Sequence, residues 1–174
     1  MIESHHANLC LSGNVIHPHT NLTEIKLAAE LLWRVGVRPD QVSMGFGFYG
    51  RSYTLSDPSC TTPGVCRFST GGNPGPCTAT SGYLSYYEIK DVLAKNPGIV
   101  VRHDVAATVK YFSWGSNQWI AYDDADTFKQ KVDWANSVGF SGSLIWASDL
   151  GKLRSPFVLI STNCYLELTC INRR

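Results

Sequence analysis

The stretch Met44-Gly-Phe-Gly-Phe-Tyr-Gly-Arg-Ser-Tyr-Thr-Leu55 decides how this chain folds. Its apolar residues predict a buried β-strand over residues 42–49, which ends in a Tyr-Gly-Arg corner. The glycines at positions 45, 47 and 50 would let another backbone or a ligand approach closely. A tyrosine and an arginine at the C-terminal end of a strand can hold a sugar, by stacking and by donating hydrogen bonds. The corner is therefore a first indication of a carbohydrate site.

A helical pattern precedes this strand in the sequence, and another precedes a second predicted strand. Asn21 and Glu24 form a helix start, and apolar residues at helical spacing predict a helix over about residues 22–35. A second helix is predicted from Asp126 to Gly139, followed by the nearly all-apolar strand Gly142–Ala147. This order of helices and strands is the one expected for a (β/α) barrel with a domain inserted after one strand. A whole barrel needs about 250 residues, and this chain has 174.

The residues between the two helix–strand units predict a small α+β insertion. Residues 56–82 are rich in Gly, Pro, Ser, Thr and Cys and are expected to form a loop. Ser85 and Glu88 form a capping box for a short helix that ends near Asn96. Short strands are predicted at residues 100–101, 106–112 and 118–122.

Composition narrows the classes of function. The chain is 44% hydrophobic and 17% charged, which is typical of a globular protein. Its net charge of +1 argues against a nucleic-acid partner. The apolar runs are too short to cross a bilayer, and the first residues lack the regions of a signal peptide. No cofactor and no metal site are implied.

The six cysteines are many for a cytosolic protein of this size. Metal binding would favour a C-x-x-C pair, which is absent, so we interpret the cysteines as disulfides of a secreted protein. Six cysteines allow 15 pairings, so the connectivity stays open. Cys60, Cys66 and Cys77 lie within one loop and are the disulfide candidates. Secretory cysteines without a signal peptide indicate an incomplete chain.

Collinear motifs make the chain resemble the C-terminal part of family-18 glycoside hydrolases, the chitinases, and above all the fungal branch related to the chitinase-like subunit of yeast killer toxins. The match covers residues 17 to about 150. The matching stretches are His19-Thr-Asn-Leu-Thr-Glu-Ile25, Gly45-Phe-Gly-Phe-Tyr-Gly-Arg-Ser-Tyr-Thr-Leu-Ser-Asp-Pro-Ser-Cys60, Gly75-Pro-Cys-Thr78, Gly82-Tyr-Leu-Ser-Tyr86, Gln118-Trp-Ile-Ala-Tyr-Asp-Asp124, Thr127-Phe-Lys-Gln-Lys131 and Leu144-Ile-Trp-Ala-Ser-Asp149.

The resemblance implies an α/β fold: the last two strands and helices of a (β/α)8 TIM barrel, with an α+β chitin-insertion domain. The expected division is an irregular stretch (1–16), a barrel helix with the seventh strand (17–51), the insertion domain (52–122), a barrel helix with the eighth strand (123–150) and a divergent tail (151–174). Active sites lie at the C-terminal ends of barrel strands.

The resemblance also assigns substrate-binding roles. Trp146 would form the hydrophobic floor under a sugar, Arg51 would donate hydrogen bonds to it, and Tyr49 would line the cleft. From the residues alone, Trp146 could instead be a core tryptophan in a buried strand. Arg51 could form an ion pair at the surface or at the barrel rim, and Tyr49 could pack in the core.

The chemistry implied is retaining, substrate-assisted cleavage of β-1,4 bonds between N-acetylglucosamine units, in which a glutamic acid protonates the leaving oxygen. The acidic D-x-x-D-x-D-x-E motif that carries this group in the family is absent from the sequence. We therefore assign no catalytic residue and expect the chain alone to be inactive. Its partners would be chitin or chito-oligosaccharides, and the missing N-terminal half of the barrel. The alternatives are a non-catalytic chitin-binding remnant and a truncated gene product.

Other polar and aromatic residues have simpler interpretations. Asp123, Asp124 and Asp126 are expected to cap a helix rather than bind a metal. His17 and His19 are expected to be loop residues. Trp114 and Trp119 either extend the cleft or pack the core of the insertion, and the sequence does not separate these two.

Overall fold

The computed structural model describes residues 13–147 and 150. The predictions for residues 1–12 and 151–174 lie outside this part of the chain. A 3-10 turn, Pro39–Gln41, precedes the first strand. The helices are α1 (Leu22–Arg34), α2 (Tyr86–Lys95) and α3 (Ala125–Val138), and the strands are β1 (Ser43–Gly47), β2 (Tyr49–Leu55), β3 (Phe68–Gly71), β4 (Tyr83–Ser85), β5 (Arg102–Asp104), β6 (Val109–Trp114), β7 (Gln118–Tyr122) and β8 (Gly142–Trp146).

The two predicted barrel strands pair side by side. β1 and β8 are parallel, with Ser43 opposite Gly142 and Gly47 opposite Trp146. The apolar faces of α1 and α3 pack against this pair, as in a (β/α) unit. The partial-barrel architecture is therefore confirmed, and the described residues form no closed barrel. The buried core of this half consists of Met44, Phe46, Phe48, Phe128 and Ala135.

The expectation that β8 is a buried strand is wrong for the described structure. Four of its five residues are exposed, and Leu144 is 55% exposed. The physical reason is that the described sheet has only two strands, so much of β8 has no neighbour to cover it. The outer side of α1 is exposed in the same way, at Leu27 and Leu31, as is Val35 directly after the helix.

The second sheet is antiparallel and has six strands, in the order β3-β2-β7-β6-β5, with β4 also paired to β2. The chain changes sheets at Phe48, so Tyr49 begins a strand of the second sheet rather than ending the first. β7 has the predicted bounds, whereas residues 100–101 are not a strand and β5 begins at Arg102. β3 lies in the segment expected to be a loop, because its pairing with β2 outweighs its turn-rich composition.

Local sequence explains where the helices begin. Ser85 and Glu88 form the predicted capping box of α2. The carboxylate of Asp124 caps α3 by accepting hydrogen bonds from the N–H groups of Asp126 and Thr127. Gly139 ends α3 with a φ of 90°, a conformation that favours glycine.

A disulfide joins Cys60 to Cys66 in the loop between β2 and β3. This confirms the prediction of a disulfide there. Cys66 is buried in the insertion core beside Trp119, and Cys77 is also disulfide-bonded. Among residues 13–147 and 150, none of the helices has the length and apolar character needed to cross a bilayer.

Candidate functional site

Trp146 is the last residue of β8 and presents its indole to solvent. Its side chain is 54% exposed, although its backbone is fixed, because the carbonyl oxygen accepts a 2.9 Å hydrogen bond from the N–H of Phe48. The Trp146–Ala147 peptide bond is cis. A large, exposed aromatic ring on a fixed strand end is available for stacking on a ligand.

Tyr49 lies directly over the end of β1. A Cβ atom placed on Gly47 would lie 2.9 Å from Cε1 of Tyr49, so glycine is needed for the ring to sit here. Because Gly47 also pairs with Trp146 in the sheet, the two aromatic residues flank the same glycine. Tyr49 meets Tyr83 edge to face, with 6.2 Å between the ring centroids. The phenol ring thus lines the junction between the two sheets.

Arg51 follows Tyr49 on the same side of β2 and is half-buried. Its guanidinium carbon lies 5.7 Å from the centroid of the Tyr49 ring, a cation–π distance. Its backbone pairs with Tyr83 on one side and with Ala121 on the other. The guanidinium group is therefore held beside Tyr49.

The glycines of the opening motif have different surroundings. Gly47 faces the Tyr49 ring, as described above. A Cβ on Gly50 would lie 2.7 Å from the carbonyl oxygen of Ala121. Close backbone approach is therefore required at Gly50. A Cβ on Gly45 would have no described atom within 4 Å, so the predicted close approach does not occur there among the described residues.

A partly buried polar cluster adjoins Tyr49, and sequence reasoning missed it. Nε2 of His19 lies 2.8 Å from the hydroxyl of Tyr49. The next residue, Thr20, donates a 2.7 Å hydrogen bond from its hydroxyl to Oδ2 of Asp123. Oδ1 of Asp123 lies 2.5 Å from Nζ of Lys131. The relevant signal was Lys131 itself, a charged residue on the apolar face of α3.

The electrostatics of this cluster follow from its burial. Lys131 is 1% exposed and Asp123 is 3% exposed. Burial lowers the pKa of the Lys131 ammonium below its ordinary value, although the attraction of Asp123 opposes that shift. Asp123 therefore balances a buried charge and does not cap the helix, while Asp124 does, as predicted. Within the described part of the chain, His, Cys, Asp and Glu side chains form no group that could hold a metal ion.

The two remaining tryptophan candidates, Trp119 and Trp114, differ in how deeply they are buried. Trp119 has no exposed surface and belongs to the insertion core, where Tyr53 and Tyr111 contact it. Trp114 is half-buried beside Phe112, with 5.5 Å between the ring centroids. Trp119 is therefore a core residue.

Glu88 holds the loop that precedes β4. Its Oε1 accepts hydrogen bonds from the N–H groups of Cys77 at 2.7 Å and Thr78 at 3.0 Å, and its Oε2 accepts one from the N–H of Ser85 at 2.8 Å. Burial alone would raise the pKa of Glu88, but these bonds together bring it below its ordinary value. The carboxylate is therefore an anchor for the loop.

Comparison with known proteins shows similarity to one protein family. The model of glycosyl hydrolases family 18 matches residues 3–151. Secreted chitinase LysM12 of Penicillium expansum is 30% identical over 150 residues, which is 82% of this chain and 10% of that protein. Class V chitinase CHIT5a of Medicago truncatula is 37% identical over 117 residues, which is 67% of this chain and 28% of that protein.

A solved structure agrees with these matches. Human YKL-39, described as a pseudo-chitinase with retained chitooligosaccharide binding properties, superposes with a TM-score of 0.67 and 33% identity. The aligned region covers 72% of this chain and 33% of that one. The chain thus spans about a third of this solved relative, and a smaller share of the two chitinases.

Proposed function

The chain belongs to glycosyl hydrolases family 18, and on that premise we propose that it forms one wall of a cleft for chains of β-1,4-linked N-acetylglucosamine. Trp146 stacks on a sugar ring, Arg51 donates hydrogen bonds to hydroxyl or carbonyl oxygens, and Tyr49 lines the cleft between them. The observation that carries the proposal is the position of Trp146 at the C-terminal end of a parallel strand, where it and Tyr49 flank the same glycine, Gly47.

The physical basis is the shape of the sugar. The CH groups of one pyranose face form a flat apolar surface, which stacks well on an indole. The backbone of Trp146 is fixed before a ligand arrives, so binding has to order only the side chain, and the rest of the stacking free energy appears as affinity.

The polar part of the site lies on β2. Arg51 is half-buried, and its guanidinium group carries several N–H donors in a fixed plane. Hydrogen bonds to a charged donor are stronger than those between neutral groups. The ring of Tyr49 lies 5.7 Å from the guanidinium carbon, which supports the placement of donor and aromatic surface side by side.

Hydrolysis requires an acid that this sequence does not supply. The family motif D-x-x-D-x-D-x-E is absent from it, so we propose that this chain binds chitin and leaves the bond intact. In a whole barrel, the acid would come from strands preceding β1. The exposed β8 and the exposed side of α1 are the surfaces on which those strands and helices would pack. The Cys60–Cys66 disulfide supports an extracellular location.

Calorimetric titration of the full chain with chito-oligosaccharides tests the proposal. We expect saturable binding that Trp146→Ala weakens at least about tenfold, which corresponds to about 1.4 kcal/mol. Leu144→Ala is the matched control, because Leu144 is equally exposed two residues earlier on the same strand, and it should bind as the wild type does. No binding, or equal losses in both variants, would overturn the proposed site. Release of reducing sugar by the pure chain would overturn its assignment as a binder without hydrolysis.

A further inference from the structure

The chain passes between the two sheets at two places. One short turn, formed by His19 and Thr20, contacts the chain at each of these two places. The first passage is at Phe48, between β1 and β2, and the second is at Asp123, between β7 and α3. The His19–Thr20 turn reaches Tyr49 next to the first passage through His19, and Asp123 at the second through Thr20.

The bonds of this turn are partly buried and lead to a buried ion pair. Asp123 accepts hydrogen bonds from the hydroxyls of Thr20 and Thr127, each at 2.7 Å. Nζ of Lys131 lies 2.5 Å from Asp123 and 3.2 Å from the Thr20 hydroxyl. Burying two charges is costly, and a pair of this kind often fixes geometry rather than adding stability.

The backbone of Thr20 supports the same interpretation. Its φ of 63° lies in the left-handed region, which a threonine adopts only where its surroundings impose it. The turn is also tied to the second sheet beyond Asp123, because the N–H of Leu22 donates a 2.8 Å hydrogen bond to the carbonyl oxygen of Ala107.

We propose that His19, Thr20, Asp123 and Lys131 act as one clamp that fixes the two sheets relative to each other and holds the Tyr49 ring in position. His19 is then a positioning residue: it acts on a ligand through Tyr49. The effect of the clamp on sugar binding rests on the proposed function. Its effect on how the two sheets are joined does not.

The first experiment needs no sugar. Hydrogen exchange is measured at the N–H of Leu22 and at the N–H of Tyr86, which donates to the carbonyl oxygen of Phe48. Thr20→Val replaces the hydroxyl by a methyl group of similar size and should accelerate exchange at both sites at least about tenfold. An amide in the middle of β6, where Phe112 pairs with Ile120 of β7, is the control and should keep its rate. Unchanged exchange at these two sites would overturn the clamp.

The second experiment tests the positioning of Tyr49. His19→Phe keeps a ring but loses the hydrogen bond, and we expect it to weaken chito-oligosaccharide binding about tenfold. His19→Gln restores a side-chain hydrogen-bonding group and should bind within about threefold of the wild type. His103→Phe, at an exposed histidine of β5, is the control and should have no effect. Wild-type affinity in His19→Phe, or failure of glutamine to restore binding, would overturn the positioning role. If the wild type itself does not bind, the proposed function fails, and hydrogen exchange alone decides on the clamp.

Discussion

The N–H of Phe48 donates a 2.9 Å hydrogen bond to the carbonyl oxygen of Trp146, and the carbonyl oxygen of Phe48 accepts one, also of 2.9 Å, from the N–H of Tyr86. Phe48 is therefore bonded at once to the end of β8 and to the first residue of α2. A disturbance at this residue reaches both the exposed indole and the second sheet. Gly47, directly before it, and Gly50, two residues after it, are thus sensitive positions.

The glycines of the opening motif should differ in their tolerance of alanine. Gly50→Ala would place a Cβ 2.7 Å from the carbonyl oxygen of Ala121, a backbone atom that cannot move aside. We expect a loss of about 1–3 kcal/mol in the free energy of unfolding, as for other overpacked sites, measured by urea denaturation.

Gly47→Ala should act on binding more than on stability, because the atom in its way belongs to the Tyr49 ring, which can turn. Gly45→Ala is the control, since no described atom lies within 4 Å of its Cβ position. Equal stabilities of the three variants would contradict the described packing.

Glu88 should make the protein sensitive to acid. Its pKa is lower in the folded chain than the ordinary value of 4.5, so the folded state favours the carboxylate. The stabilisation is complete above about pH 4.5 and is lost as the pH falls through the lowered folded pKa. Glu88→Gln should lose roughly 2 kcal/mol at pH 7, because an amide cannot accept all of these bonds, and should flatten the decline in acid. Glu30→Gln, at an exposed position of α1, should stay within about 0.5 kcal/mol of the wild type.

Buried tyrosines should make the fold sensitive to alkali. Burial raises the pKa of Tyr53, Tyr86 and Tyr122 above the ordinary value of 10.0, and the charge of Asp124 adds to the shift at Tyr86 and Tyr122. The unfolded chain therefore releases these protons first, and stability falls as the pH rises above about 10. Denaturant unfolding from pH 8 to 11 should show a shallower decline for Tyr122→Phe than for the wild type. Identical slopes would argue against burial of the Tyr122 hydroxyl.

The Cys60–Cys66 disulfide should stabilise the insertion core. The bridge closes a short loop, since the two cysteines are separated by 6 in sequence, and a loop of this length is expected to contribute roughly 2 kcal/mol through the unfolded state. A Cys60→Ala/Cys66→Ala double variant should lower the free energy of unfolding by about that amount under oxidising conditions. Its hydrogen exchange should accelerate near Trp119, which packs in the same cluster, and not in α1.

Local patterns in the sequence predicted most helices and strands. They did not predict the polar contacts among His19, Tyr49, Thr20 and Asp123. The bounds of β7, the capping box at Ser85 and the glycine end of α3 depend on neighbouring residues alone, so they could be found from the sequence. The bond between His19 and Tyr49 joins residues 30 positions apart, and that between Thr20 and Asp123 joins residues 103 apart. No local period contains such contacts. The buried Lys131 likewise contacts Thr20, which lies 111 positions away in the chain.

The exposure of β8 shows a second limit of local patterns. An all-apolar strand indicates that both faces are meant to be covered, but the covering elements need not be in the same stretch of sequence. The candidate residues Trp146, Arg51 and Tyr49 were found from their positions at strand ends and from the family motif. Their roles remain predictions that the experiments above test.

The first and last long strands of the six-stranded sheet, β2 and β7, are antiparallel neighbours, with Arg51 opposite Ala121. The polypeptide therefore arrives in this sheet and departs from it at points about 5 Å apart, the usual spacing of paired strands. Ends this close together are what a unit needs in order to sit between two elements of a host without stretching it. The unit has one further part, however, because Ile16, which precedes α1, is fully buried in its core with Cys66 and Trp119. A transfer of the second sheet to another scaffold would therefore have to carry the stretch around Ile16 as well.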